Sequence, residues 1–299
     1  MTRLAKRLLC CAPKYNGILH ALATTAAGAW SMRRLRGGYG GPCLNVRRDS
    51  DNSTQDIGFT ASGELNTNAL LTFVGNANGY VTKWYDQMPG ASHLKQTQTV
   101  LQPQIINDGV QLSLLPTGVR PVVATNGGNA GQNGQTLVSG AVDVPVASLT
   151  FAQPFTRVSV FGLPGGLSPA NSNPVLMSSH TGNPTELYQT SASALSMYVY
   201  DPPGTGLGNG FAAATGLATG STGVMVESFN GASSLGIWSG RTSSGTVGAN
   251  GSDSLQIGGL GTSRNSQTNY AEAVVFATTL PPADQAALTA DQRIYWGTP

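Results

Sequence analysis

The chain has 299 residues, of which only 10% are charged, against about 25% in ordinary domains. Its 39 glycines and 17 prolines favour short strands joined by many turns, and its length suits one large all-β domain or two smaller ones. No apolar run approaches the ~20 residues that cross a bilayer, and three cysteines (Cys10, Cys11, Cys43) form neither a disulfide framework nor a zinc-site spacing.

The small net charge of +2 hides a basic N-terminus. Residues 1–50 contain nine Lys or Arg and one acid, a balance of +8, and the remainder has a balance of −6. We interpret residues 1–28 as an arm that docks on partner proteins, with residues 29–299 as one domain. No nucleic-acid-binding motif accompanies this charge, so nucleic acid is not the expected partner. The basic side chains expected to dock are Arg3, Lys6, Arg7 and Lys14.

The first segment, MTRLAKRLLCCAPKYN, resembles a secretory signal only in its basic start. Its apolar stretch ends after about five residues, whereas a signal needs 7–15. Apolar residues at three- and four-residue steps over 3–35, interrupted by Pro13 and Gly17, predict two short helices, or one that orders on contact with a partner.

Strand patterns dominate from about residue 44 onwards. A short helix is predicted at 66–75, with Asn66 or Thr67 as its N-cap. The dipeptide Asn230-Gly231 between two alternating runs predicts a type I′ hairpin, in which both central residues have positive φ. The predicted strands cover 54–60, 79–87, 103–115, 119–125, 155–163, two within 186–201, two flanking Asn230-Gly231, 254–261 and 270–280.

The last segment, PPADQAALTADQRIYWG, predicts a C-terminal helix that begins at a proline. More than ten strands without βαβ alternation predict an all-β fold. We therefore expect a two-sheet antiparallel jelly-roll sandwich of the concanavalin A type, with a helical basic arm and a short C-terminal helix.

The stretch YVTKWYDQMPGASH (80–93) admits two interpretations. Asp86 at the end of a strand is well placed to accept backbone N–H groups of the following turn, which would fix the loop. Alternatively, Trp84 or Tyr85 stacks on a sugar, with Asp86 and His93 as polar contacts. Because Trp84 and Tyr85 point to opposite faces of the strand, we expect one to lie in the core and the other to be exposed.

Other site classes lack their required residues. The three histidines are far apart and have no Cys or Glu at ligand spacing, the acidic run 49–56 lacks the pattern of an EF-hand, and the Gly-rich stretches lack a phosphate-loop lysine. No Gly-x-Ser-x-Gly elbow is present. We expect neither a metal nor a cofactor.

Three anchors carry a family resemblance: residues 29–59, the stretch GELNTNALLTFV with YVTKWYDQMPGASHLKQT, and the C-terminal strand and helix. Together they resemble concanavalin-A-like jelly-roll domains of bacteriophage tail and virion proteins. They are also similar to the catalytic domain of family 54 α-L-arabinofuranosidases. The opening anchors, about residues 29–98, are fairly specific, whereas 125–250 matches only in architecture.

The resemblance to the enzymes implies two carboxyls. Glu186 in PTELYQT stands where they carry the nucleophile, but Leu260 in QIGGLGTSRN stands where they carry the acid/base Asp. The nearest acid in sequence is Asp253, and the cysteines that the enzymes have near Tyr-Asp-Gln are absent, since residues 80–83 contain none. Loss of a general acid typically removes ~10²–10⁴-fold of rate.

Because of this departure, we predict a non-enzymatic protein: a virion structural protein of a bacteriophage tail, fibre or decoration. It would assemble as a homo-oligomer with other virion proteins in the host bacterial cytoplasm and would contact host surface glycans. The alternative is a retaining glycoside hydrolase of the α-L-arabinofuranosidase type, with Glu186 and Asp253 as its catalytic pair.

Overall fold

Two antiparallel layers of β-strands pack face to face in a computed structural model of the chain. The structure describes residues 17–116, 118–125, 137–139, 149–164, 174–179, 185–191, 193–200, 208–259 and 264–299. The strands of its first half are β1 (Gly28–Ser31), β2 (Leu44–Arg48), β3 (Thr54–Ile57), β4 (Gly79–Trp84), β5 (Leu94–Lys95), β6 (Gln104–Asn107), β7 (Gln111–Leu112), β8 (Val123–Thr125) and β9 (Leu137–Ser139). Those of the second half are β10 (Phe155–Gly162), β11 (Val175–Ser178), β12 (Thr185–Ser191), β13 (Ala194–Tyr200), β14 (Gly208–Thr215), β15 (Thr222–Phe229), β16 (Ser234–Trp238), β17 (Arg241–Gly245), β18 (Gln256–Ile257) and β19 (Thr268–Phe276).

One layer centres on β19, which pairs with β10 on one edge and with β1 and β8 on the other. It continues from β10 through β15 and β16 to β17. The opposite layer runs β9-β18-β11-β12-β13-β14. The N-terminal strands β3-β2-β4-β6 extend these layers. All of these ladders are antiparallel, which confirms the predicted jelly-roll-like sandwich.

Large side chains fill the space between the layers, because each inward-facing position removes apolar surface from water. Trp30, Trp84, Phe155 and Phe161 are fully buried. The hydroxyl of Tyr270 on β19 crosses to the backbone oxygen of Leu176 on β11 and fixes one layer against the other.

Helix α1 (Thr67–Val74) begins as its sequence predicts. Asn66 is the N-cap, and its side-chain oxygen accepts the backbone N–H of Ala69 at 3.1 Å. Helix α2 (Pro282–Trp296) begins at a proline and ends at Gly297 in the left-handed conformation, as is typical of helix C-termini. Among the described residues, neither helix combines the length and apolarity needed to span a membrane.

Two turns differ from the sequence-based predictions. The run 103–115 is not one strand: Asp108 (φ 48°) and Gly109 (φ 71°) turn the chain between β6 and β7. The hairpin between β15 and β16 forms, but its turn is not type I′, because Asn230 has φ −150° and a 3₁₀ turn occupies Gly231–Ser233. Side chains fix this turn: Ser234 Oγ accepts the N–H of Asn230 at 2.8 Å.

Residues 17–27 pack on the sandwich and do not form the second predicted helix, whereas the first lies outside the described residues. Only a single 3₁₀ turn occurs, at Ile18–His20. The backbone N–H groups of Ala23 and Thr24 donate to the carboxylate of Asp284 in the first turn of α2, at 3.0 and 2.8 Å. The apolar spacing in this segment predicts a helix, but hydrogen bonds from its backbone to Asp284 hold it in a different conformation. The docking residues Arg3, Lys6, Arg7 and Lys14 lie outside the described residues.

A buried polar cluster joins β1, β19 and α2. Its centre is Glu272 on β19, which has no exposed surface. Its carboxylate accepts Arg33 Nε at 2.9 Å, Gln292 Nε2 at 3.0 Å and Trp296 Nε1 at 3.1 Å. Because these bonds reach from one carboxylate on β19 to the segment after β1 and to α2, the cluster fixes α2 on the outer face of the β19 layer.

Candidate functional site

Glu186 lies near the start of β12, between β11 and β13. It is 1% exposed and faces Ser178 on β11 and Tyr198 on β13 in the two ladders. A carboxylate so deeply buried must be paired or lose its charge. The environment of Glu186 therefore determines what it can do chemically.

Arg264 is the ion-pair partner of Glu186. Its Nη1 donates to Oε1 and its Nη2 lies beside Oε2, both at 2.9 Å. The hydrogen bond to Oε1 and the ion-pair contact at Oε2 together orient the carboxylate. Burial raises the pKa of Glu186, and the positive charges of Arg264 and Arg157 oppose that rise. Arg264 thus holds the Glu186 carboxylate in place, and burial together with the charges of Arg264 and Arg157 determines its pKa.

Two tyrosines stand beside this carboxylate. Tyr188 follows Glu186 by two residues, so both side chains leave the same face of β12. The Arg264 guanidinium lies 5.4 Å from the centre of the Tyr188 ring, and the Tyr198 ring meets Tyr188 edge to face at 5.9 Å. Both tyrosines are partly exposed. Partly exposed rings beside a carboxylate suit the binding of a sugar, which has apolar C–H faces and polar edges.

A second ion pair lies between the layers, directly behind β12. Arg157 on β10 contacts Glu227 on β15 through Nη2–Oε1 at 2.6 Å and Nε–Oε2 at 3.2 Å. Arg157 Nη1 also reaches the backbone oxygen of Thr185, the residue before Glu186, at 3.4 Å. Glu227 is fully buried, and its pairing with Arg157 holds that guanidinium next to the backbone that precedes Glu186.

Asp253, the second predicted carboxyl, lines a cleft of about 320 Å³. Ser179 belongs to the same lining. The backbone of Ser179 donates to Thr185 O at 3.0 Å, and its Oγ accepts the Thr185 N–H at 2.9 Å. Ser179 therefore lines the cleft that holds Asp253 and is also hydrogen-bonded to the start of β12, the strand that holds Glu186. No hydrogen bond joins the two carboxyls in the described part of the chain, and Leu260 lies outside it.

The loop after β4 has the structural role that its sequence predicted. Asp86 is 1% exposed, and its carboxylate accepts the backbone N–H groups of Ala29, Met88 and Ser92 at 2.8–3.0 Å. Burial raises the pKa of Asp86 to about 6, although these three hydrogen bonds lower it. The neighbouring Gln87 accepts from Leu35 N and donates to Arg33 O. Asp86 and Gln87 thus fasten the segment from β1 to residue 35.

Of the four sugar contacts predicted in this stretch, two are buried and two are partly exposed. Trp84 has no exposed area and belongs to the core, so neither it nor the buried Asp86 presents a surface to a ligand. Tyr85 is partly exposed and packs edge to face on His93 at 4.8 Å. Burial, with the charges of Lys83 and Lys95, lowers the pKa of His93 to about 4, and its Nδ1 accepts the Asp86 N–H. Sugar binding by Tyr85 and His93 stays a prediction.

Arg264, Arg157 and Glu227 were missed by the sequence reasoning. A signal was present for two of them, because Arg157 and Glu227 interrupt strongly apolar strands, and a charge in such a strand implies a buried partner. Which residue pairs with which depends on the register of β10 and β15, where Arg157 stands opposite Glu227. Within the described residues, no cluster of three His, Cys, Asp or Glu side chains suits a metal ion.

Two kinds of comparison found proteins that are similar to this chain. The family model for the catalytic domain of α-L-arabinofuranosidase B matches residues 17–112, about a third of the chain. No curated protein sequence matches the chain.

Solved structures of arabinofuranosidases share the fold. One, complexed with arabinofuranosyl-α-1,2-xylobiose, is 16% identical, with a TM-score of 0.64 over 92% of this chain and 63% of the other. A mutant GH54 α-L-arabinofuranosidase soaked with 4-nitrophenyl α-L-arabinofuranoside is 15% identical, with the same TM-score and coverage. This chain therefore spans less than two thirds of the length of these enzymes, and at such identities the likeness shows the fold alone.

These findings correct the function predicted from the sequence. The matching family model and these structures are arabinofuranosidases, so the prediction of a non-enzymatic bacteriophage virion protein, with its tail and structural roles, is wrong. Leu260 alone does not exclude a hydrolase, because the family model matches residues 17–112, where the opening anchors lie.

Proposed function

We propose that this chain is a glycoside hydrolase domain that cleaves α-L-arabinofuranosides with retention, and that Glu186 is its nucleophile. The observation that carries the proposal is the buried carboxylate of Glu186, held in two places by Arg264 beside two partly exposed tyrosines. The arabinofuranosidase family match and the shared sandwich support the choice of substrate class.

Glu186 has what a covalent nucleophile needs. It must be ionised, oriented and shielded from competing water. Arg264 favours the ionised form and fixes its orientation, and burial among β11, β12 and β13 limits solvent. Attack by one Glu186 oxygen on the anomeric carbon would form a glycosyl-enzyme ester and expel the leaving group, and water would then release the sugar.

A direct assay tests the proposed function. We expect release of 4-nitrophenol from 4-nitrophenyl α-L-arabinofuranoside and much slower release from the matching β-D-xylopyranoside. We also expect the arabinose first released to keep the α configuration, as followed by NMR. Release no faster than in buffer alone would overturn the proposal.

Asp253 is proposed as the acid that protonates a sugar leaving group. It is the carboxyl of the cleft that shares a wall with the Glu186 strand. For Asp253→Asn we expect a loss of about 10²–10⁴-fold on arabinofuranosyl-α-1,2-xylobiose, the range for a lost general acid. The aryl substrate should lose far less, because 4-nitrophenolate leaves without a proton. Equal losses on both substrates, or none, would remove Asp253 from this role.

Arg264 should determine the acid side of the pH profile. The nucleophile acts when ionised, so activity rises with pH as Glu186 loses its proton. Arg264→Met removes a positive charge that opposes the effect of burial, so the pKa of Glu186 should rise further. The acid limb of the kcat/KM profile should then move to higher pH. Arg264→Lys, which keeps the charge, should shift it less. An acid limb that stays in place in Arg264→Met would contradict this coupling.

A further inference from the structure

The cleft that contains Asp253 is built from two segments held edge to edge. Phe151 and Ser252 exchange backbone hydrogen bonds at 2.9 and 2.8 Å. Gln153 Nε2 donates to the backbone oxygens of Gly248 and Asn250, both at 2.7 Å. A Cβ at Gly251 would lie 2.1 Å from Phe151 O, so only glycine allows this approach. The cleft is therefore preformed by backbone contacts on both sides.

Its lining offers polar groups without a cation. Asn250, Ser252, Asp253 and Ser179 line it together with the partly exposed ring of Phe151. No Lys or Arg is among the described residues of this lining, and Asp253 disfavours an anion. A neutral polyhydroxylated ring fits such a surface, since its hydroxyls donate to carboxylates and accept from amides, and its C–H face packs on an aromatic ring.

Asn250 carries an unused donor. Its Nδ2 is buried and has no hydrogen-bond partner in the described residues. A buried donor without a partner costs about 1–3 kcal/mol, so natural structures rarely keep one without a reason. A hydroxyl oxygen of a bound ligand would satisfy this group.

We infer that this cleft is the subsite for the sugar ring on the leaving-group side, with Asn250 and Phe151 as specificity residues; the inference rests on the proposed function. The shared wall at Ser179 and Thr185 puts the cleft next to the strand that bears Glu186. A volume of about 320 Å³ lies at the small end of ligand sites, which suits one or two pentose rings.

Two substrates with the same arabinose test the inference. The trisaccharide arabinofuranosyl-α-1,2-xylobiose would fill the cleft, whereas 4-nitrophenyl α-L-arabinofuranoside places no sugar there. For Asn250→Ala we expect the KM for the trisaccharide to rise about fivefold, as for one lost hydrogen bond, with kcat/KM for the aryl substrate unchanged. Phe151→Leu should also raise the KM for the trisaccharide, and Asn107→Ala, on β6 outside the cleft, should change neither value. Equal effects on both substrates, or none, would overturn the inference.

A binding measurement separates this inference from the proposed function. Xylobiose should shift the NMR signals of the Asn250 side-chain amide in the wild-type protein, whether or not the protein hydrolyses arabinofuranosides. Hydrolysis of the aryl substrate without any such shift would overturn the subsite alone. A shift without hydrolysis would leave the cleft as a sugar-binding site and overturn the catalytic proposal.

Discussion

Glu186→Gln is expected to abolish hydrolysis while leaving the fold intact. An amide oxygen cannot form the glycosyl ester, and loss of a covalent nucleophile lowers kcat in other hydrolases on the order of 10⁴–10⁶-fold. Glutamine has the same shape, and Arg264 is partly exposed, so its charge remains solvated after the pair is lost. We expect an unchanged circular dichroism spectrum and no release of 4-nitrophenol above the buffer rate.

Glu64→Gln provides the matched control. Glu64 is also paired with an arginine, Arg120 at 2.7 Å, but it lies in a more exposed cluster with Tyr295. This variant should keep its activity within about twofold, because surface ion pairs contribute little. Wild-type rates in Glu186→Gln would show that another group attacks the sugar, and an inactive Glu64→Gln would show that the assay follows stability.

Glu272→Gln should cause the largest loss of stability. Removing one partner of a buried ion pair typically costs ~3–5 kcal/mol, because the other charge stays buried. Arg33 would keep Asp291 as a partner, so the lower part of that range is expected. For a domain of this size that corresponds to a fall in Tm of about 5 °C, measurable by calorimetry. The exposed pair supplies the control: Asp51→Asn, which removes the partner of Arg48, should leave Tm unchanged.

The pH dependence of this effect has a defined sign. Burial alone would raise the pKa of Glu272, but the charge of Arg33 and the bonds from Arg33, Trp296 and Gln292 hold it below its ordinary value. A carboxyl with a lowered folded-state pKa stabilises the fold above its unfolded-state pKa and ceases to do so as pH falls through the folded-state value. The difference between the wild type and Glu272→Gln should therefore shrink in acid, and a constant difference would contradict the ionised pair.

Leu260 raises a specific question for an arabinofuranosidase-like domain. Leu260 stands where the resemblance to the enzymes implies an acid/base Asp, so the proposed hydrolysis of sugar glycosides needs a proton donor from elsewhere in the chain. Asp253 meets this need in the proposal because its cleft adjoins the Glu186 strand. The paired substrates separate the two contributions, since the aryl glycoside reports on Glu186 and the trisaccharide on both carboxyls.

Local signals in the sequence determined much of the fold. The alternation in 155–163 and 224–240 predicted β10, β15 and β16, and Asn66 and the paired prolines at 281–282 marked the starts of both helices. These features depend on neighbours within a few residues, which a sequence displays directly. The role of Asp86 in fixing its loop followed from the same kind of local reasoning, because two of its three backbone partners lie within six residues.

Only the tertiary structure decided which charges meet. Arg264 and Glu186 are 78 residues apart, and Arg33 and Glu272 are separated by 239, so no spacing along the chain reveals either pair. The same holds for the cleft, whose two sides come from segments about 100 residues apart. Long-range pairing depends on strand register and layer packing, which sum many weak contacts over the whole chain. The sequence thus determined the architecture and proposed two catalytic candidates, Glu186 and Asp253, and the packing of the two layers decided the electrostatic environment of Glu186.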